Sequence, residues 1–401
     1  MKSIKIFKIY PHNYPLSKQQ NASIVLVSLP FIKQSQFTYQ IISSYCENPS
    51  LENNITFIKK EDCFADNYQE QGNKNIWNVD FRIDYTKYLK AVVSLIKLQS
   101  PDLVEVEFDV KLSSDLTKHI KQPVILINHI NMIKSSPWFY IKNFFRIRNI
   151  AAFIFVSHYF KKRFTLFYPF WSKKAYVVHN SYDHIKPQSA NPSGLNWVKK
   201  QDQIVFLGKA TLRKGIKEYL EAVSLFLEQN LAKNPTWQAI VIGAIEKKRE
   251  KDTLEAIKAQ PLIKKYLDNK KLIIYENLNN QEAFKYLENA KIAIFPTIPR
   301  LHQEGIPTVA LEAALAKCLI ISSLSGGYSE VNPFTITHLN KVKVNEILDK
   351  LNIFVNNSKL LQETSQQQHQ FVLDNFNISS LGKKFEQIKL EIWKRSQRKN
   401  K

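Results

Sequence analysis

Residues 203–215 read QIVFLGKATLRKG: a short strand-like run that ends at Gly208, a basic loop, and then the opening of an amphipathic helix. The same unit of strand, loop and helix recurs in both directions along the chain. After it come WQAIVIG (237–243), KLIIYE (271–276), KIAIFP (291–296) and CLIISS (318–323), separated by longer amphipathic stretches. Before it come SIVLVSL (23–29), NITFI (54–58), DLVEVEF (102–108), PVILIN (123–128), AAFIFVS (151–157) and AYVVH (175–179), with a helix expected around 82–99. Strands apolar on both faces belong to parallel sheets covered by helices on two sides. The expectation is an α/β chain of two doubly wound, Rossmann-like domains facing a cleft, with ligands bound beyond the carboxyl ends of the strands.

With 401 residues and 44% hydrophobic content, the chain exceeds one ordinary core and suggests two domains of about 200 residues each. The stretch YDHIKPQSANPSGLNWVKK (182–200) has the Pro, Ser, Asn and Gly of a linker. Domains are therefore expected over 1–190 and 191–375, with a C-terminal helix and basic tail over 376–401. That helix carries Phe385, Ile388, Ile392 and Trp393 on one face. It either caps the second domain or crosses back onto the first.

Lysine and arginine number 57 against 35 aspartates and glutamates, a net charge of +22. Part of this is a general bias towards Lys, Ile and Asn, but the excess favours an acidic partner such as a nucleotide, a nucleic acid or an anionic membrane surface. Charge spread over two nucleotide-type domains argues against nucleic acid. Cys46, Cys63 and Cys318 match neither a zinc spacing nor a disulfide framework, which suggests a reducing compartment. The N-terminal MKSIKIFKIYPHNYPLSKQQ interrupts its apolar residues with lysines, unlike a signal peptide. No apolar run approaches the ~18 residues of a spanning helix. A cytoplasmic location is expected, peripheral at most on the inner face of the plasma membrane.

Two stretches carry chemistry. In VFLGKATLRKG (205–215), Gly208 lets a ligand approach the backbone, and Lys209 and Lys214 can both reach an anion above the strand end. An ordinary solvated loop has the same composition. In QEGIPTVALEAAL (303–315), Glu304 and Glu312 flank Gly305, Ile306 and Pro307 at the start of an Ala-rich helix. Pro307 suits the first helical position. The backbone N–H groups of Gly305, Ile306, Thr308 and Val309 then lack intrahelical partners and form an anion site. Glu312 shares a face with Thr308. Two early acids favourable to the helix dipole are the plain alternative; against it, the helix is otherwise buried Ala and Leu, where an unpaired carboxylate is costly.

Gly208, Lys209, Lys214 and Gly215, then EGIPTVALEA with its E-x7-E spacing, then SGGYSEV (325–331), together resemble the nucleotide-sugar domain of retaining, GT-B-fold family 4 glycosyltransferases, the glycosyl transferases of group 1. The resemblance implies that Lys209, where the family usually has Arg, and Lys214 hold the donor diphosphate. It implies that Glu304 contacts the transferred sugar and Glu312 the ribose hydroxyls, with Gly305 and Ile306 contributing backbone contacts. Gly326 and Gly327 would form a tight turn beside the pocket. The implied activity is hexosyl or N-acetylhexosaminyl transfer from a nucleotide-diphosphate sugar, with no cofactor and no metal. The acceptor would be a hydroxyl of a glycan or lipid-linked molecule, in lipopolysaccharide or other envelope glycan synthesis.

In the first domain PVILINHINM resembles the family strand ending in a catalytic-pocket histidine, here His129, and FIFVSHYFKKRF its strand-to-helix segment with a pocket serine, Ser157. AYVVHNSYD resembles the domain end, with Asn180 and Asp183 in place and Ser181 where Gly is usual. The glycine-rich loop expected after the first strand has no counterpart in SLPFIKQSQFTYQ, so a non-catalytic nucleotide-sugar or membrane-binding relative is the alternative reading. In EVEFDV, Glu105, Glu107 and Asp109 share one strand face; a solvated edge is expected there, ahead of a metal site. Finally, Leu116 to Tyr182 contains eleven Lys and Arg and no Asp or Glu, interleaved with aromatics. That composition suits contact with an anionic membrane, while aromatic core under a basic surface is the plainer reading.

Overall fold

The computed structural model describes residues 4–11, 23–44, 55–59, 61–62, 83–129, 137–183, 185, 197–245, 248–276 and 278–399. Cys46 and Cys63 lie outside these residues. The chain divides into two compact units, Met1–His184 with Ile378–Lys401, and Ile185–Asn377.

The first unit runs β1 (Lys5–Ile9), α1 (Ser23–Lys33), β2 (Thr38–Ser43), β3 (Ile55–Phe57), α2 (Tyr85–Gln99), β4 (Leu103–Glu107), α3 (Val110–His119), β5 (Val124–Asn128), α4 (Pro137–Ile147), β6 (Ala152–Phe155), α5 (His158–Phe167) and β7 (Ala175–Val177). Its seven strands pair in the order β3-β2-β1-β4-β5-β6-β7, each pairing parallel. This is the doubly wound order, reversing direction between β1 and β4.

The second unit repeats the plan with β8 (Gln201–Lys209), α6 (Ile216–Asn230), β9 (Gln238–Ala244), α7 (Lys248–Lys258), α8 (Pro261–Asp268), β10 (Leu272–Glu276), α9 (Asn280–Asn289), β11 (Ala290–Phe295), α10 (Thr308–Leu315), β12 (Leu319–Ser323), α11 (Tyr328–Val331), β13 (His338–Leu339), α12 (Val344–Val355) and α13 (Ser358–Asn375). Its six parallel strands run β10-β9-β8-β11-β12-β13, with the switch between β8 and β11.

The last helix, α14 (Ile378–Lys399), belongs to the first unit. Phe385, Ile388 and Ile392 enter the same apolar cluster as Ile6, Ile41, Ile125 and Ile154. Asp183 accepts the Ile378 N–H at 2.9 Å, which fastens the helix start. The opposite sheet face packs Phe7, Val104 and Val106 against Tyr88, Val92 and Ile96 of α2 and Leu112 and Leu116 of α3.

Two readings of the sequence are corrected. SIVLVSL, expected as a strand, is helix α1; a short apolar run has no period to separate the two conformations. The first strand is instead KIFKI at 5–9. The stretch between the first strand and α1 is therefore residues 10–22, which also contains no glycine and lies largely outside the described residues.

The expected solvated edge at Glu105 and Glu107 is the second correction. Both glutamates are fully buried on central strand β4, where register places Glu105 beside Lys8 of β1. Lys8 Nζ lies 3.2 Å from Glu105 and 2.5 Å from Glu107, and Lys389 of α14 lies 3.5 Å from Glu105, which also accepts the Tyr39 hydroxyl at 2.8 Å. Asp109 instead caps α3, accepting the Leu112 N–H at 2.9 Å. Burial works against the Lys8 ammonium, but Glu107 and then Glu105 outweigh it and hold the lysine protonated. Burial likewise works against the Glu107 carboxylate, and Lys8 and then His129 hold its pKa below the usual range. These carboxylates are thus neutralised from within the protein.

Removing one partner of such a cluster leaves an uncompensated buried charge. Lys8→Met should therefore lower unfolding free energy by ~3–5 kcal/mol. Adding Glu105→Gln should restore part of the loss. Urea unfolding midpoints of the two variants check this, and an unchanged midpoint in Lys8→Met would contradict it.

Candidate functional site

The switch point of the second sheet brings the loop after β8 against the loop after β11. Lys209 ends β8, and a 3₁₀ turn over Leu212–Lys214 leads to Gly215 and α6. Gly215 has φ +76°, and a Cβ there would stand 2.0 Å from the Pro296 carbonyl oxygen. Only glycine lets the turn seat so closely on the β11 loop. The Ile298 N–H donates to the Arg213 carbonyl at 3.0 Å, locking the two loops together.

The consequence is a direct ion pair between Lys214 and Glu304. The same Glu304 oxygen lies 3.0 Å from His302 Nε2. Arg213 and His302 are site members that the sequence reading did not single out. Arg213 stands next to Lys214, and His302 stands two residues before Glu304.

Glu304 is held by a backbone shelf. Glu304 and Gly326 form an isolated parallel bridge, and the Gly327 N–H donates to the Glu304 carbonyl at 3.0 Å. A Cβ on Gly326, at φ +67°, would stand 2.1 Å from the Glu304 carbonyl oxygen, and one on Gly327 1.7 Å from that of Gly305. The paired glycines exist here so that two main chains can touch. Gly208 differs: its φ is +143° and a Cβ would meet nothing within 4 Å, leaving open space above the β8 end.

Pro307 is the N-cap of α10, one residue before the first helical position expected for it, with extended backbone at φ −71° and ψ 111°. The N–H groups of Ala310 and Leu311 already donate to its carbonyl. Those of Thr308 and Val309, the first two helical residues, have no carbonyl a turn behind them. Gly305 and Ile306 are buried beneath this start, while Thr308 and Glu312 are partly exposed one turn apart. Among the described residues the Glu312 carboxylate has no ion pair or hydrogen bond. Burial raises its pKa from 4.5 to about 7.

Positive charge is in excess in this corner. Burial, then Arg213 and Lys209, push the Lys214 ammonium down from 10.5 to about 7. Burial, then Lys214, Arg213 and Lys209, lower His302 to about 4. Glu304, touching both, works the other way, but it is one carboxylate against three cations. Such a site is short of negative charge.

In the first unit, His129 follows β5 and its Nε2 lies 2.8 Å from Glu107, at the outer end of the buried charge cluster. It lines a small pocket, open to solvent, with Lys8, Ser28, Phe31, His179 and Asn180. Ser157 is buried and caps α5, its hydroxyl accepting the Phe160 N–H at 3.2 Å. Ser181 and Asp183 hydrogen-bond to each other. His129 thus opens onto a pocket, whereas the Ser157 oxygen is engaged in starting a helix.

Residues 188–371 match the family model of glycosyl transferases group 1. The matched segment contains every element of the cation-rich corner. Over the whole chain, solved structures share the architecture. A glycosyltransferase from Rickettsia africae is 18% identical over 99% of each chain, with a TM-score of 0.70. The α,α-trehalose 6-phosphate synthase of Burkholderia multivorans is 12% identical over 100% of this chain and 99% of its own, at 0.71. HepE of Anabaena, in complex with UDP, is 11% identical over 96% of this chain and 99% of its own, at 0.69. At such identities the likeness shows the fold, and the fold is GT-B. No curated protein matches the chain by sequence.

The shelf makes a structural prediction. Gly327→Ala should force the Gly305 main chain away and cost ~1–3 kcal/mol, as overpacking does. A thermal melt of the variant measures it; a wild-type melting temperature would mean the shelf can part freely.

Proposed function

We propose that the protein is a retaining glycosyltransferase that moves a hexosyl or N-acetylhexosaminyl group from a nucleotide-diphosphate sugar to a hydroxyl acceptor. The observation that carries this reading is the surplus of Lys209, Arg213 and Lys214 over Glu304 at the carboxyl edge of a group 1 domain. A diphosphate supplies the missing negative charge. The unpartnered Glu312, one turn inside α10, suits the two hydroxyls of a ribose, and Glu304 suits a hydroxyl of the transferred sugar. UDP-sugars are the first donors to try, because HepE binds UDP.

In the proposed reaction the bond from the anomeric carbon to the donor phosphate oxygen breaks through an oxocarbenium-like state. The acceptor oxygen attacks the same face, and its proton passes to the departing phosphate. Lys209, Arg213 and Lys214 stabilise the leaving group where charge develops. His129, oriented by Glu107, contributes to the acceptor side. The acceptor class that fits a basic, aromatic first domain is a lipid-linked or envelope glycan such as lipopolysaccharide. The lysines do the neutralising that a metal performs in other transferases.

Lys214→Ala should lower kcat/KM by about 10²–10³-fold, the effect of losing one charge-stabilising donor. Glu312→Gln should raise the donor KM by roughly 10–100-fold, the worth of charged hydrogen bonds to hydroxyls. Both variants should keep the wild-type circular dichroism. UDP-, GDP- and ADP-sugars screened by thermal shift with product detection identify the donor. Stabilisation by a nucleotide sugar without product from any acceptor would favour a non-catalytic relative, and normal turnover in Lys214→Ala would defeat the assignment.

Binding should also depend on pH. Free Lys214 titrates near 7, and a bound diphosphate raises that value, so binding takes up a proton. Through Lys214, affinity for UDP should fall as the pH rises from about 7 towards about 9; below about 7 it should fall as well, as Glu312, raised to about 7, loses the charge that holds the ribose and the terminal phosphate begins to protonate. Titration calorimetry in buffers of different ionisation heat at about pH 8, where Glu312 and the phosphate are already ionised, measures the proton uptake, and Lys214→Gln should abolish it.

A further inference from the structure

Helix α4 is inside out. Its buried side carries Asn143 and Ile147, whereas Ile141, Phe144 and Phe145, spaced i, i+3, i+4, face solvent at 52%, 37% and 61% exposure. Phe170, in the 3₁₀ turn Pro169–Lys174, is 83% exposed. The two segments form one platform. The Phe144 ring meets Phe145 at 5.6 Å, Phe170 at 6.4 Å and the buried Trp171 at 4.5 Å, all edge-on. Lys174 fastens it from below, donating to the carbonyls of Arg148 at 3.3 Å and Ile150 at 3.0 Å. Leu166, at the end of the neighbouring α5, adds a further 74% exposed apolar side chain.

Exposed rings grouped in this way are unusual on a monomer and mark an interaction surface. The charge around them selects the partner. No carboxylate occurs from Leu116 to Tyr182, and the exposed Arg148, Lys162 and Lys173 lie in the segments that carry the rings. We propose that this platform rests on an anionic lipid bilayer, with Ile141, Phe145 and Phe170 entering the boundary between headgroups and acyl chains and the cations meeting lipid phosphates. Among the described residues no helix is long and apolar enough to cross a membrane, so the contact is with the surface. A second copy of the chain would bring the same carboxylate-free basic surface and repel. A nucleic acid would leave Ile141 and Leu166 with nothing to stack on. The inference stands apart from the sugar-transfer reading, because it uses no residue of the group 1 domain.

The test is co-flotation of the full chain with phosphatidylglycerol-containing vesicles and with pure phosphatidylcholine vesicles at low salt. Binding is expected to the first and not the second, about tenfold weaker at 0.5 M salt. The double variant Phe145→Ser, Phe170→Ser should lose about tenfold or more of it, and Arg148→Glu with Lys173→Glu should lose it at low salt. Thermal shifts confirm that the variants are folded. Equal affinity for both vesicles, no binding to either, or unchanged binding by folded variants would overturn the proposal. So would a dimer that the phenylalanine variant converts to monomer without any vesicle binding, since the platform would then be a contact between copies.

Discussion

Two carboxylates on one central strand set the problem that the first domain is built to solve. Glu105 and Glu107 have no exposed surface, and an unpaired ion in such a place carries a penalty of several kcal/mol. Their counter-charges come from opposite ends of the chain: Lys8 on the first strand and Lys389 on the last helix. The helix that ends the chain is therefore part of the electrostatics of the first sheet, and its apolar face, Phe385, Ile388 and Ile392, completes the packing on that side. Tyr39 and the rings around Lys389 fill the remaining polar and cation-facing positions. The cluster ends at His129, so the side chain that opens onto the pocket is anchored by the same charges that close the core.

The second domain is arranged the other way round. There the buried lysine, Lys200, is satisfied by the carbonyls of Leu287, Glu288 and Ala290 at 2.7–3.1 Å, and Tyr219 spans two strands through the carbonyls of Ile204 and Ile240. Among the described residues its interior holds polar groups but no fully buried ion pair. The charges gather at the strand ends instead, where Lys209, Arg213 and Lys214 outnumber Glu304. One domain balances its charges internally and the other leaves them unbalanced at its rim, and imbalance at a rim is what an ionic ligand can correct.

Five of the six strands of the second domain were legible because their short runs are apolar on both faces, so pattern and structure agree within a residue or two, whereas β13, two residues long at His338–Leu339, offers no run to read. β1 was not, because Lys5 and Lys8 break its apolar run, and the reason Lys8 is tolerated lies 97 residues away. For the same reason the alternation of Glu105 and Glu107 suggests an exposed face: periodicity reports which residues share a side, and burial is decided by what covers that side. The Lys214 and Glu304 contact spans 90 residues, yet both were singled out, since each stands just past a strand end. Arg213 and His302 carry no sequence signal of their own, each being the neighbour of a more conspicuous residue. The shelf role of Gly326 and Gly327 needed the positions of two main chains, which no local pattern carries.

For the proposed donor, the charge count follows the reaction. The diphosphate of a nucleotide sugar carries two negative charges, and the leaving nucleoside diphosphate approaches three as the glycosidic bond breaks. Three cations less Glu304 give a surplus of two, matched to the bound donor. Binding of the intact donor already secures the Lys214 proton, so while the bond breaks the lysine acts as a full positive charge: its attraction grows with the charge that develops on the leaving phosphate, and that difference between donor and leaving group accelerates the reaction. Burial beside like charges, which lowers the affinity of Lys214 for its proton in the resting state, is offset when the donor's negative charge arrives.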